Sequence, residues 1–330
     1  MTALTLTEIL NPEKQLLDSY VRPTAVRSYH PDFPDVSFET ARTVGMRKEQ
    51  LLCKMQNAID GILKGEQYYK KQHPSAEGTF LSQSDFLQLP LLIAETYPHG
   101  FAAPEILNSW EYFVPKHFPE ARAAAIVKKG CPIHLLGSFQ LLPDEHLRTV
   151  ERTQLWALLY AGYPQKAVNK AFLDAALTAD KTVVEAALFF TAAIAFAFTR
   201  SPKDAVSAAI YGMSLPYVER TIGSSIRTLQ QCMQPIEHCI LLFHAVQNSN
   251  TMEECFRLLE THRAEACCYF AAGAIFGANA DLPMEKEDTA LSGILNYGGI
   301  VSKQDLAMRY TELNPGIAQK KLPWDNEARE

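Results

Sequence analysis

Residues 162–198 read GYPQKAVNKAFLDAALTADKTVVEAALFFTAAIAFAF, and this stretch decides the fold class. Pro164 suits the first position of a helix, where a missing N–H costs nothing and the fixed φ is already helical. A helix is therefore expected from Pro164 to Leu177, and a second, rich in Ala and Phe, from Lys181 to Thr199. Within the second, Ala186 to Phe198 is the most apolar run of the chain. It is too short to cross a bilayer, which takes ~20 residues, and reads as a buried helix. Alanine-rich helices over 167–198 and 264–278 imply close packing in an inner layer.

The same devices recur outward from this stretch. Toward the N-terminus, Pro143 to Gly162 carries Asp144 and Glu145 early, and Pro104 to Phe113 opens with Pro and Glu. Ser84 is placed to cap a helix running to about Tyr97. Leu51, Leu52, Met55, Ile59, Ile62 and Leu63 mark a helix from Lys48 to about Lys71, followed by a loop over His73 to Phe80. Toward the C-terminus come Pro202 to Met213, Pro216 to Met233, Ile236 to Gln247, Met252 to Leu259 and Ala264 to Ala278. Period-two alternation is scarce, so the chain is read as all-α, a compact multi-helix orthogonal bundle. Residues 1–45 form an irregular N-terminal extension interrupted by Pro12, Pro23, Pro31 and Pro34, residues 46–320 a single all-α domain, and residues 321–330 a polar tail that frays.

Composition removes several function classes. The chain has 330 residues, 47% apolar and 21% charged, which is a globular balance rather than a disordered or rod-like one. With 31 basic and 37 acidic side chains the net charge is −6, so neither nucleic acid nor an anionic membrane is expected as a partner. The first residues, Met1 to Glu8, lack the basic and apolar regions of a secretory signal, and a cytoplasmic location is expected. Seven cysteines, an odd number, argue against a disulfide framework. Cys232, Cys239, His238 and His244 could be read as a zinc cluster, but buried cysteines on a helix are the plainer account, and no metal or other cofactor is expected. Neither a Gly-x-Ser-x-Gly motif nor a phosphate-cradling loop nor an Asp-rich diphosphate-binding cluster occurs.

Two local patterns carry a resemblance. The first is Gly162-Tyr163-Pro164-Gln165-Lys166-Ala167 with Ala171, Asp174, Ala175, Leu177 and Thr178, followed by the Ala-rich helix from Val184 to Phe198. The second is Glu253-Glu254-Cys255-Phe256-Arg257-Leu258, followed by Gly273-Ala274-Ile275-Phe276-Gly277-Ala278 and Pro283; a weaker third is the loop Gly130 to Gly137. In these the chain resembles the ADP-ribosylglycohydrolase family, which includes dinitrogenase-reductase-activating glycohydrolases and J1 crystallins, over roughly residues 50–290.

That family's chemistry rests on paired magnesium ions, which want octahedral oxygen ligands. Its first ligand motif, Thr-Asp-Asp-Thr, aligns with Ser84-Asp85-Phe86-Leu87. Ser84 and Asp85 keep an oxygen, while Phe86 and Leu87 cannot ligate. Its second, Gly-Gly-Asp-x-Asp-Thr, falls on His262-Arg263-Ala264-Glu265-Ala266-Cys267, where both aspartates become alanine. The family's Thr-His becomes Thr178-Ala179, and its early Gly-Asp corresponds to Gly65-Glu66. The resemblance thus implies a degenerate site, with the departure concentrated on the metal ligands.

The candidate catalytic residues are Asp85, Glu265 and Cys267: a surviving pocket carboxylate, a pocket acid lying between the former ligand positions, and a thiol nucleophile. Ser84 and Arg263 are the candidate ligand-binding residues, Arg263 because a guanidinium ahead of a helix N-terminus suits an anion. Asp174 and Asp180, flanking the Thr178 position, are read as solvated carboxylates, and Phe189, Phe190, Phe196 and Phe198 as core. Three functions remain open: a pseudoenzyme that binds a small molecule, an ADP-ribosyl group or a protein partner; a metal-independent enzyme in the old pocket; and a structural, crystallin-like protein.

Overall fold

A computed structural model describes residues 46–74, 83–133, 136, 146–179, 181–212, 235–280, 303–314 and 318–319, and every structural statement refers to these. The chain begins with strand β1 (Met46–Arg47) and helices α1 (Lys48–Gln72), α2 (Gln83–Thr96), α3 (Ala103–Phe113) and α4 (Pro119–Lys128). It continues through α5 (His146–Thr153), α6 (Trp156–Leu159), α7 (Pro164–Ala175), α8 (Lys181–Ala197) and α9 (Pro202–Gly212). Helices α10 (Pro235–Gln247), α11 (Met252–Thr261), α12 (Ala266–Ala278) and α13 (Lys303–Glu312) precede strand β2 (Ala318–Gln319). The two strands are a short parallel clasp, Met46 opposite Ala318 and Arg47 opposite Gln319, so the fold is all-α.

Helices α8 and α12 occupy the interior. Every residue of α12 is buried, so its sequence is apolar all round, as a helix surrounded by others must be. Helix α8 packs against α7, α9, α5, α10 and α12, and α12 against α1, α5, α10 and α11. Helices α2, α3, α4 and α13 form the outer packing. Helix α1 presents Leu51, Met55, Ala58, Ile59, Ile62 and Gly65 inward, with Glu49 at its start and Lys70 and Lys71 at its end to complement the helix dipole.

The tightest contact is between α1 and α12. A Cβ placed on Gly61 would sit 1.9 Å from the Gly273 carbonyl oxygen, and one on Gly273 would sit 2.0 Å from that of Gly61. Gly65 faces the backbone of Tyr269 at 2.4 Å and Gly277 that of Asn57 at 2.1 Å. Two glycines spaced by four on each helix therefore let the backbones touch.

Two features depart from the sequence expectation. The helix expected over Pro143 to Gly162 is broken into α5 and α6, because Thr191 Oγ1 donates to the Thr153 carbonyl (3.1 Å) while Ala157 N bonds Gln154 O (3.0 Å) instead. Helices α4 and α13 carry no expectation of their own. The expected extension (1–45), helix (216–233) and tail (321–330) lie outside the described residues.

Alanine at Gly61 or at Gly273 is expected to destabilise the protein by at least about 3 kcal/mol, since backbone atoms rather than flexible side chains would have to move. Chemical denaturation of each variant measures it.

Candidate functional site

The glycine crossing sets the last turns of α1 beside the first turn of α12, and α5 packs against α12 nearby. Three carboxyl groups converge there: buried Glu66 from α1, half-buried Glu151 from α5 and half-buried Glu265, which stands at the N-cap position of α12. Tyr69 Oη donates to Glu265 Oε2 at 2.8 Å, and Lys70 Nζ lies 2.8 Å from Glu66 Oε1. Burial, then the Glu265 charge, holds the Tyr69 hydroxyl well above its ordinary value, so it stays a donor. Burial is also the largest cause acting on Glu151. Arg148 opposes it, but Glu265, Glu66 and Glu120 add to it, and the carboxyl is raised to about 8. Glu151 is thus a carboxylic acid at neutral pH, among carboxyl neighbours.

Rings surround the acids. Tyr69 stacks on His73 at 4.3 Å between centroids, and Tyr68, Phe256 and Tyr269 form a cluster at 5.2–5.8 Å. Tyr69 and His73 are half-exposed, so this aromatic edge faces outward.

Beneath α5 lies a buried ion network. Arg148 Nε donates to Glu120 Oε1 (3.0 Å), and Arg152 Nη1 donates to the same oxygen (2.5 Å). Arg152 Nε donates to Asp174 Oδ1 (2.8 Å) and Trp156 Nε1 to Asp174 Oδ2 (2.7 Å). Two guanidiniums balance two carboxylates, so the network buries no net charge. Burial opposes ionisation of Glu120, yet Arg152 and Arg148 outweigh it and hold its carboxyl below the usual range. The expectation of a solvated Asp174 is therefore corrected: it is 2% exposed, because α7 turns it onto Arg152 and Trp156. Asp180 lies outside the described residues. Thr178 Oγ1 takes part, accepting from Arg152 Nη2 (3.0 Å) and bonding Thr149 Oγ1 (3.0 Å).

The sequence-derived candidates fall on different elements. Ser84 and Asp85 open α2, with Asp85 buried. The next residue, Phe86, is core, its ring 5.1 Å from the Arg148 guanidinium, and Leu87 gives its carbonyl to Tyr310 Oη. One turn on, Gln88 is fully buried, and neither end of its amide has a hydrogen-bond partner among the described residues. Glu265 and Cys267 come together at Tyr69, whose hydroxyl feels both. Cys267 is fully buried and its thiol is pushed well above its ordinary value, by burial first; a thiolate nucleophile needs the reverse.

Arg263 is exposed, with φ +52°. Its N–H bonds Glu260 O (2.9 Å) and Ala264 N–H bonds Leu259 O (3.0 Å), which is the paired bond of a helix end turning through a left-handed residue. Its backbone place is thus set by the turn joining α11 to α12. Glu151, Tyr69 and Gln88 were not anticipated from sequence: the first sits between two arginines on a helix, the second in a Tyr-Tyr pair, and neither spacing marks a site.

The sequence matches no protein-family model and no curated protein. Among solved structures, one described as an ADP-ribosylglycohydrolase-related protein complex superposes with a TM-score of 0.52 at 15% identity, over 80% of this chain and 99% of the other. The all-α fold is therefore that of an ADP-ribosylglycohydrolase-related protein. No helix among the described residues is long and apolar enough to cross a membrane.

Two outcomes are expected. A raised Glu151 pKa means that folding takes up a proton, so its contribution is full below about 4.5 and lost as pH rises to about 8. Glu151→Gln should therefore gain in melting temperature over the parent between pH 5 and pH 9, which a thermal-shift series would show. Arg263→Gly should stabilise by up to about 1 kcal/mol, because glycine adopts the left-handed turn without strain, measurable by denaturant titration.

Proposed function

We propose that this chain is a glycohydrolase-like protein that has given up paired-magnesium chemistry and uses the pocket to bind. The observation that carries the reading is burial. The positions that the resemblance assigns to metal ligands are Phe86 (1% exposed), Leu87 (0%), Ala264 (1%) and Ala266 (6%), all packed as core. The oxygen-bearing residues left are Ser84, Asp85 and Glu265, and Glu265 is engaged by Tyr69. These do not suit two magnesium ions, whose mutual repulsion and dehydration they would not offset.

The remaining chemistry favours a ribosyl ligand. Carboxyl groups of Glu66, Glu151 and Glu265 accept from ribose hydroxyls. The Tyr69–His73 stack offers a face to a planar base. Exposed Arg263 supplies a cation for a diphosphate. An ADP-ribosyl group is the first ligand to test, and the description of the structural neighbour supports that choice.

A second reading rests on Glu151. A protonated carboxyl beside other carboxyl groups is the arrangement of a general acid and base, which would give a metal-independent hydrolase, lyase or cyclase.

Titration calorimetry with ADP-ribose separates the readings. The binding reading expects equal affinity in Mg²⁺ and in EDTA, no release of ADP-ribose from a modified protein, and roughly tenfold weaker binding in Glu265→Gln. Affinity that requires Mg²⁺ would overturn it. Turnover that survives EDTA and is abolished in the Glu151→Gln/Glu265→Gln variant would establish the second reading instead.

A further inference from the structure

Helix α10 packs on α12, and at their contact three ligating side chains meet. His238, Cys267 and Cys268 are each fully buried, and their donor atoms lie within 4.8 Å of one another. His238 Nδ1 is 3.9 Å from Cys268 Sγ, and Cys268 Sγ is 3.6 Å from the His238 carbonyl oxygen. The decisive observation is the other ring nitrogen. His238 Nε2 is buried and has no hydrogen-bond partner among the described residues. A buried imidazole that leaves one nitrogen unpaired loses about 1–3 kcal/mol of hydration without compensation. In a buried contact between two apolar helices, such a residue needs a reason.

We propose that His238, Cys267 and Cys268 bind one thiophilic divalent cation, of which zinc is the example. Thiolate sulfur and imidazole nitrogen are the donors that select zinc over magnesium or calcium. Sulfur–metal bonds of about 2.3 Å require donors roughly 4 Å apart, so the cluster closes on an ion with sub-ångström shifts. Charge selects the valence. Burial, first, keeps the Cys267 thiol protonated and the imidazole neutral, so the cluster without an ion buries no charge. Binding replaces the two thiol protons, which leave to solvent. Two thiolates and a neutral imidazole then cancel a divalent ion, whereas a monovalent ion would leave a buried negative charge. Three protein ligands leave a fourth position open to water.

This differs from the cysteine–histidine grouping considered from sequence. Cys232 lies outside the described residues. Cys239 donates its thiol to the Pro235 carbonyl (3.7 Å), and His244 pairs with Asn248 and faces His262. The site is also independent of the ADP-ribosyl reading: it stands on α10 and the first turn of α12, whether or not the pocket binds a ribosyl ligand.

The test is titration of the full chain, purified with reductant and treated with chelator, with Co²⁺ followed by Zn²⁺. The expected result is one equivalent of cobalt with a sulfur-to-cobalt charge-transfer band and tetrahedral visible absorption, displaced by one equivalent of zinc. Cys267→Ser/Cys268→Ser should abolish the band. His238→Gln, which keeps a side chain of polar character, should keep sulfur charge transfer but weaken binding at least tenfold. Cobalt that gives only the pale octahedral spectrum would overturn the proposal, as would a band unchanged in the cysteine variant. A matched titration with Cu⁺ tests the valence: copper bound at one equivalent where zinc is not would overturn the divalent assignment.

Discussion

The contact on which the rest of the fold depends is the backbone-to-backbone crossing of α1 and α12. Gly61 and Gly65 on one helix and Gly273 and Gly277 on the other allow carbonyl oxygens to occupy the space where Cβ atoms would stand. This brings together segments about 200 residues apart in the chain, and Tyr69 meets Glu265 across it. It also makes α12 an interior helix, enclosed by α1, α5, α8, α10 and α11. Both candidate sites share that helix's first turn: the acid cluster through Glu265 and the thiol cluster through Cys267 and Cys268.

Around this turn the protein separates its charges by depth. The Arg148–Glu120–Arg152–Asp174 network is fully buried but internally balanced, with every carboxylate oxygen facing a donor of the opposite charge or an indole N–H. Such a network adds little net stability over apolar packing, yet loss of one partner would leave a buried charge uncompensated. It holds α4, α5 and α7 in register. The acid cluster is the reverse case. Its carboxyl groups outnumber their cations, so one of them, Glu151, keeps its proton at neutral pH. Proton-holding acids of this kind mark places where a protein does chemistry or takes a polar ligand. The third cluster, of thiols and a neutral imidazole, carries no charge while its thiols keep their protons, and it lies wholly inside.

The fold was legible because helices announce themselves locally. Pro at first positions (Pro104, Pro164, Pro202), acids in first turns and alanine-rich runs act over one or two turns. The resemblance noted at 162–198 and 253–278 anticipated the fold of the structural neighbour despite 15% identity. What failed was non-local in origin. The break at Thr153 depends on the Thr191 hydroxyl, a residue on another helix, so the Pro143 to Gly162 pattern had no means of displaying it. Asp174 looked solvated because its partners Arg152 and Trp156 stand 22 and 18 residues earlier.

By itself the sequence determined the helical class and the inner position of its two alanine-rich helices. Each of these is a property of residue type and near spacing. Only the tertiary structure decided which side chains became neighbours. It joined Glu66, Glu151 and Glu265 from three helices, turned Cys267 into a buried thiol, and set His238 against the cysteine pair. Ionisation and ligation depend on burial and on charges within a few ångströms, and those distances exist only once the glycine crossing has closed.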